Sequence, residues 1–399
     1  MGLNVAIFEP EADGHHLALY TRTIIRTLNQ RGHRVHLVTT ERSTKHEAFQ
    51  ALVDDGLAFE THLMPDSPTK PEEGDAARLI AQFRRRWNYH QGYLDLVRRE
   101  KIDSIYMVNI DQADLAIAVK GSPFGKTPFA GMLIGRQFHA GNKLRDRIFR
   151  PVFRRLLKLP RLRKLLILDG QLVEYVRSWK GAEKVVHSPD VGYLANTGPN
   201  TDPRSELGLP KDAFLVLAYG ALSLRKGVAE VLAGTSLSEK ACVVLAGRRD
   251  TEVEALLQGE TATSLRSKGR LCEIKGFLDD RQESLAFHAC DVVWLGYRNW
   301  LGMSGVLILA AIARKPVICH CEGLIPSLVK KYNLGLVIDI SDSSAVKEAI
   351  DLISSNVVLK QEFAQAGPEF ANLHTPQRFG DCIADAIESA ANPNSSDQQ

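Results

Sequence analysis

Cysteine is scarce in this sequence. Six residues in 399, at spacings that suggest no pairing, cannot staple a fold of this size and fit a reducing compartment. Long apolar runs are missing too: none approaches the ~20 residues of a spanning helix. Charge of one sign is nearly absent as a net quantity. With 50 Lys and Arg against 47 Asp and Glu, the whole-chain field does not mark a nucleic-acid binder, and no nucleic acid is expected as a partner. The opening Met1-Gly2-Leu3-Asn4-Val5-Ala6 lacks the basic stretch of a secretory leader, and Ala6 spoils the myristoylation pattern, so the cytoplasm is the expected address. What is present is ordinary: 44% apolar and 24% charged residues exclude fibrous and wholly disordered classes, and the length favours two domains of roughly 200 residues each.

Short apolar runs alternate with helical periodicity. Val5-Ala6-Ile7-Phe8 reads as a buried parallel strand; a loop follows, then Leu17, Tyr20, Ile24 and Leu28 recur at helical spacing until Gly32, and Val35 to Val38 forms the next strand. Strand, helix, strand implies a parallel sheet covered by helices. Further strands read at 104–108, 129–134, 164–168 and 184–186, and the turn formers of 196–204 mark a linker. The alternation restarts with strands at 214–218, 242–246, 291–295, 316–318 and 336–338. The expected organisation is an α/β fold of two tandem doubly wound, Rossmann-like domains, 1–196 and 197–374. A C-terminal helix is expected over 375–392 and a disordered tail over 393–399.

In parallel sheets ligands gather at the carboxyl ends of the strands. Four loops there carry candidate chemistry. Gly14, in Asp13-Gly14-His15-His16, allows close backbone approach to a ligand, or is plain turn chemistry. Arg225 and Lys226, in the glycine-bounded loop 220–227, suit a diphosphate, the guanidinium gripping two oxygens and the ammonium adding a mobile charge; a solvated basic pair is the alternative. Ser304-Gly305-Val306 opens a helix apolar on every side, which makes either an anion site or a Ser cap with a packing glycine. Gly276-Phe277-Leu278 ends a strand and lines a nucleobase pocket or forms a simple turn.

Taken in order, these motifs resemble a GT-B glycosyltransferase, close to glycosyltransferase family 4, over nearly the whole chain. The match runs from Gly14-His15-His16 through Arg225-Lys226-Gly227 and Gly276-Phe277-Leu278 to Ser304-Gly305, in a helix that ends in Lys315-Pro316-Val317. The resemblance implies that the C-terminal helix crosses back onto the first domain and that the second domain binds a nucleotide sugar. Arg225, Lys226 and the backbone of Ser304, Gly305 and Val306 would then face the diphosphate, and Gly276 to Leu278 the base, while Gly14 lets the first domain's loop close over the donor. It also implies retention at the anomeric carbon, a sugar or lipid-linked acceptor, and a histidine near the sugar. That histidine is His139, in Gly135-Arg136-Gln137-Phe138-His139, with His16 as the alternative. No metal and no cofactor are expected, the donor being a substrate.

One departure separates this chain from the family. The two glutamates expected toward the sugar and the ribose fall, aligned back from Pro316, on Leu301 and Leu309, and leucine accepts no hydroxyl hydrogen bond. Glu322 and Tyr297 are distant replacements; a catalytically silent relative that binds nucleotide sugar or a partner protein is the competing expectation. Gly121-Ser122-Pro123-Phe124-Gly125-Lys126-Thr127 imitates a phosphate loop but has one residue too few between its glycines. Residues 143–164 carry ten Lys or Arg against Asp146 alone, interleaved with apolar residues. With Arg84-Arg85-Arg86-Trp87 they suit an anionic membrane surface, or form a helix with a solvated basic edge.

Overall fold

The computed structural model describes residues 2–11, 16–65, 101–139, 144–198 and 200–392, without the side chains of residues 16 and 144–148. The chain forms two compact units, Met1–Val191 with Pro376–Gln399, and Gly192–Thr375. Gly14, Lys143 and the run 84–87 lie outside the described residues, as does the tail from residue 393.

The first unit is built on a parallel sheet of seven strands in the order β3-β2-β1-β4-β5-β6-β7. These are β1 (Asn4–Phe8), β2 (Arg34–Thr40), β3 (Glu60–Met64), β4 (Ser104–Met107), β5 (Phe129–Leu133), β6 (Leu162–Ile167) and β7 (Val185–His187). The central strands are apolar along their length because helices cover both faces. The helix Pro376–Ala391 belongs to this unit. Its Asp381, Asp385 and Glu388 lie at helical spacing along one stripe, and all three meet Arg31 at 2.7, 2.6 and 3.2 Å. Beneath them Gly380 permits near contact with the neighbouring helix, where an added Cβ would come within 2.1 Å of Thr27 Oγ1. The expected return of the C-terminal helix to the first domain is thus realised by an ion-pair cluster and a close packing point.

The second unit is a parallel sheet of six strands in the order β10-β9-β8-β11-β12-β13. They span β8 (Phe214–Tyr219), β9 (Ala241–Gly247), β10 (Leu271–Lys275), β11 (Val292–Leu295), β12 (Val317–His320) and β13 (Gly335–Ile338). The helix Gly305–Ile312 is apolar all round because glycines let its neighbours close in. An added Cβ at Gly192 would stand 2.5 Å from Ile308 Cγ2, and one at Gly367 2.7 Å from the Ala311 carbonyl oxygen. Both sheets reverse strand order once, between β1 and β4 and between β8 and β11, and at such switch points the outgoing loops splay apart to leave a crevice.

β3 was not foreseen from the sequence, and β10 only by its end at Gly276; each is an outer strand of its sheet. Edge strands carry charge against further pairing, here Glu60 and His62 on β3 and Glu273 and Lys275 on β10, and that charge breaks the apolar run by which a central strand is recognised.

Candidate active site at the carboxyl ends of the second sheet

The loop after β8 begins at Gly220 and ends at Gly227, both at positive φ, 101° and 68°. At Gly227 an added Cβ would lie 2.2 Å from the Gly296 carbonyl oxygen, so glycine is required both for the turn and for contact with the loop after β11. Between them Leu224–Lys226 makes one tight helical turn. Lys226 is buried, its ammonium donating to the Tyr219 carbonyl at 2.6 Å. Arg225 is exposed, its guanidinium carbon 4.7 Å from the centre of the Trp300 ring. Among the described residues neither cation is paired with a carboxylate.

Tyr297 joins this loop to the Ser304-Gly305 motif. Lys226 Nζ lies 5.3 Å from the centre of its buried ring and Arg225 Cζ 5.8 Å, while its hydroxyl accepts from Ser304 Oγ at 3.3 Å. Ser304 stands at the N-cap of the helix Gly305–Ile312, but its side chain is turned to Tyr297 and does not cap the backbone. The structure therefore brings together Arg225, Lys226, Ser304 and Gly305, separated in sequence by some eighty residues, across the switch point of β8 and β11. Trp294 fixes the base of the loop, its indole N–H shared between the Lys226 and Gly227 carbonyls at 3.0 and 3.1 Å.

The base-side motif meets the same loop through β9. Leu222 donates to the Arg248 carbonyl at 2.7 Å, and the Arg248 guanidinium carbon lies 5.4 Å from the centre of the Phe277 ring. Phe277 is 56% exposed, an aromatic face open to a stacking partner, whereas Leu278 is buried and supports the loop from within. Gly276 takes φ 98° and releases the chain from β10. Val306 is buried, so only its backbone is available to a ligand.

Leu309 is packed in the core and Leu301 is half-buried. Gly323 folds against the second of these positions: an added Cβ would lie 2.8 Å from Leu301 Cα, and Leu324 donates to the Leu301 carbonyl at 3.0 Å. The backbone of the exposed Glu322, one residue earlier, is thereby carried next to the loop that holds Leu301, while its Oε2 lies 3.8 Å from His320 Nε2.

Sequence reasoning missed Arg248 and a half-buried acid. Arg248 follows directly on the end of β9, and its position at the carboxyl end of a central strand was the available signal. Glu283 accepts from the Tyr219 hydroxyl at 2.5 Å; burial pushes its carboxyl up to about 7, with Asp280 adding to the rise and the Tyr219 bond opposing it. No local pattern announces a contact between residues 64 apart.

In the first unit, Arg136 is paired. Its Nε donates to the buried Asp114 at 2.7 Å and its guanidinium stacks 3.6 Å from the centre of Phe149, while Gly135 donates to Asp111 at 2.5 Å. Burial lowers the Arg136 pKa, but Asp111 and Asp114 outweigh it and the net shift is upward. His139 Nε2 sits 3.3 Å from Asp169 Oδ2, without hydrogen-bond alignment, so both ring nitrogens lack a hydrogen bond among the described residues. The other Asp169 oxygen accepts from Gln171 and Leu172 and caps the helix Gly170–Val176. His16 opens a π-helical turn, His16–Thr21, and its side chain lies outside the description.

Residues 200–370 match the family model of glycosyl transferases group 1. No curated protein sequence matches the chain. Among solved structures, HepE of Anabaena in complex with UDP-glucose is 16% identical, with a TM-score of 0.69 over 97% of this chain and 100% of its own. Sucrose-phosphate synthase from Thermosynechococcus elongatus is 15% identical, with a TM-score of 0.72 over 97% of this chain and 98% of its own. WaaG, a glycosyltransferase involved in lipopolysaccharide biosynthesis, is 17% identical at a TM-score of 0.65, over 96% and 99%. At such identities the likeness speaks for the fold. The chain has the GT-B fold, and its second unit carries the glycosyl transferases group 1 match.

Proposed function

We propose that the chain is a glycosyltransferase that moves a sugar from a nucleotide diphosphate sugar to a hydroxyl, with retention at the anomeric carbon. The observation that carries this is the gathering of Arg225, Lys226 and the start of the helix Gly305–Ile312 around Tyr297 at the switch point, with no carboxylate neutralising the cations among the described residues. Departure of a nucleotide diphosphate concentrates negative charge on the β-phosphate. Two cations and a helix N-terminus held in place stabilise that charge without reorganising, the effect that commonly dominates catalysis. Phe277, with Arg248 against it, offers the base a stacking face.

We assign Glu322 as the carboxylate that replaces the one absent at Leu301, because Gly323 brings it to that loop. His139 is proposed to act in the transfer, its Nε2 lying 3.3 Å from Asp169 Oδ2 and both its ring nitrogens being without a hydrogen bond among the described residues. HepE has been crystallised with UDP and with UDP-glucose, which makes UDP-sugars the first donors to try. A role in polysaccharide or glycolipid assembly, with a sugar or lipid-linked acceptor, is part of the same proposal.

A second reading has one observation in its favour: Leu309 is sealed in the core, so the ribose side of the site has no carboxylate there. A silent relative would still bind diphosphate through backbone and cations. Calorimetric titration with UDP, GDP and ADP, followed by assay of nucleotide diphosphate release from a donor panel with sugar and lipid acceptors, separates the two. Binding with turnover supports the enzyme; binding without turnover of any donor supports the silent relative; absence of binding removes both.

A further inference from the structure

On the outer edge of the first sheet, His36 of β2 lies in register with Glu60 of β3, and His62 follows Glu60 by two residues and so points to the same face. His36 Nδ1 is 3.0 Å from His62 Nε2 and 3.6 Å from Glu60 Oε2, and one ligand atom from each residue lies within 4.8 Å of the other two. Two atoms bound to one tetrahedral ion at about 2.0–2.1 Å stand about 3.3 Å apart, so the two measured separations bracket the spacing that a shared ion imposes.

From this geometry we propose that His36, Glu60 and His62 form a binding site for a divalent transition metal of the zinc class. Two imidazoles and one carboxylate suit such ions, whereas magnesium and calcium prefer oxygen alone. The carboxylate is oriented for the role: Arg34 holds Glu60 through Oε1, with Nε donating at 3.0 Å, which leaves Oε2 toward His36. A charged partner on the outer oxygen is the kind of support that fixes a metal ligand. His36 is buried, His62 half-buried and Glu60 exposed, so an ion would reach the site from solvent and keep an open position.

The chemistry of this site is separate from sugar transfer. His36 is the third residue of β2, whose carboxyl end is Thr40, and His62 the middle residue of β3, so the triad lies on the body of the strands and not at the carboxyl-end loops where substrates gather. Bound metal would pin β3, an edge strand with only one neighbour, to β2.

The test uses the full-length protein stripped of metal with a chelator. Calorimetric titration with Zn2+ is expected to show one site, and Co2+ in its place a visible d–d spectrum of low coordination number. His62→Gln is expected to weaken Zn2+ at least about tenfold, the lower end of what loss of a mere supporting partner costs. Glu60→Gln serves as the second variant should the first fail to fold, and a Cys242→Ser/Cys272→Ser protein, lacking a close thiol pair whose sulfurs stand 3.5 Å apart, is expected to keep full affinity. No Zn2+ binding at micromolar concentrations, or binding that survives His62→Gln and Glu60→Gln but falls in the cysteine variant, would overturn the proposal.

Discussion

The two units furnish the same topology with opposite electrostatics. At the carboxyl ends of the second sheet Arg225 and Lys226 stand beside aromatic rings, and no carboxylate is paired with them among the described residues. At the carboxyl end of β5 in the first sheet Arg136 is held by Asp114 and bonds to the Asp111 carbonyl. A cation locked to buried carboxylates has spent its charge on the fold, whereas one held by ring faces and a carbonyl oxygen keeps its charge for a ligand. Strand order alone marks two crevices, and charge pairing says which one suits an anion.

The largest effect that would sharpen this contrast is on stability. Arg136→Ala leaves Asp114, 2% exposed at its side chain, buried without its partner. Breaking such a pair costs about 3–5 kcal/mol, so urea denaturation should show a loss of that order while UDP affinity of the folded fraction stays unchanged. A variant of undiminished stability that binds nucleotide diphosphate poorly would place the anion site in the wrong unit.

Arg225→Ala is the converse. The side chain is exposed and unpaired with acid, so the fold should be indifferent, but nucleotide diphosphate affinity should drop at least tenfold, since a charged hydrogen bond contributes about 1.5–3 kcal/mol. Nucleoside affinity should hardly move. Lys226→Ala is expected to weaken the diphosphate equally and, because its ammonium also anchors the Tyr219 carbonyl, to destabilise the loop as well. Equal losses for nucleoside and diphosphate in the arginine variant would show that the cation serves the fold after all.

A third test uses pH. Glu283 titrates near 7 in the folded protein but near 4.5 when unfolded, so between these values the folded state holds the extra proton. Its contribution is complete below pH 4.5 and is lost as pH rises through 7, at about 1.4 kcal/mol per unit across the window. Glu283→Gln keeps an acceptor for the Tyr219 hydroxyl and removes the titration. Denaturant midpoints measured from pH 5 to 7 should therefore fall for the wild type relative to the variant; parallel curves would mean that Glu283 is solvated.

These contrasts also explain what could be read in advance. The central strands and the buried helix Gly305–Ile312 were legible because burial on every side demands unbroken apolar runs, and the grouping of Arg225, Lys226 and Ser304 because all three follow strands that end at one switch point. The edge strand β3 was not, and β10 only by its end at Gly276, since charge against further pairing erases the run. Nor was Tyr297 as the hinge between two motifs, or Arg248 beside Phe277, or the pairing of Arg136 with Asp114, because each depends on which strands become neighbours. Glu322 was legible only as a distant carboxylate; the approach of its backbone to the Leu301 loop is made by the turn at Gly323.

The smallest expected effect concerns the basic segment 143–164. Among the described side chains its apolar residues are taken up by the fold: Val152, Phe153, Leu156, Leu157 and Leu162 are buried in the first unit's core, and Phe149 and Leu159 pack against it. Some of its cations are engaged as well, Arg150 donating to the Phe138 carbonyl at 3.1 Å and Arg154 lying 4.4 Å from the centre of the Trp179 ring. Arg155 and Lys158 remain exposed. A basic residue near an anionic leaflet contributes about 1 kcal/mol, so loose electrostatic attachment through such exposed cations is the expected outcome. Cosedimentation should therefore show weak binding to vesicles containing phosphatidylserine, none to neutral vesicles, and release at raised salt, with Arg155→Gln/Lys158→Gln reducing it severalfold. Attachment that persists at high salt, or that ignores lipid charge, would mean that apolar groups elsewhere carry the contact; no attachment at low salt would make the segment a solvated face and remove the argument for a lipid-linked acceptor.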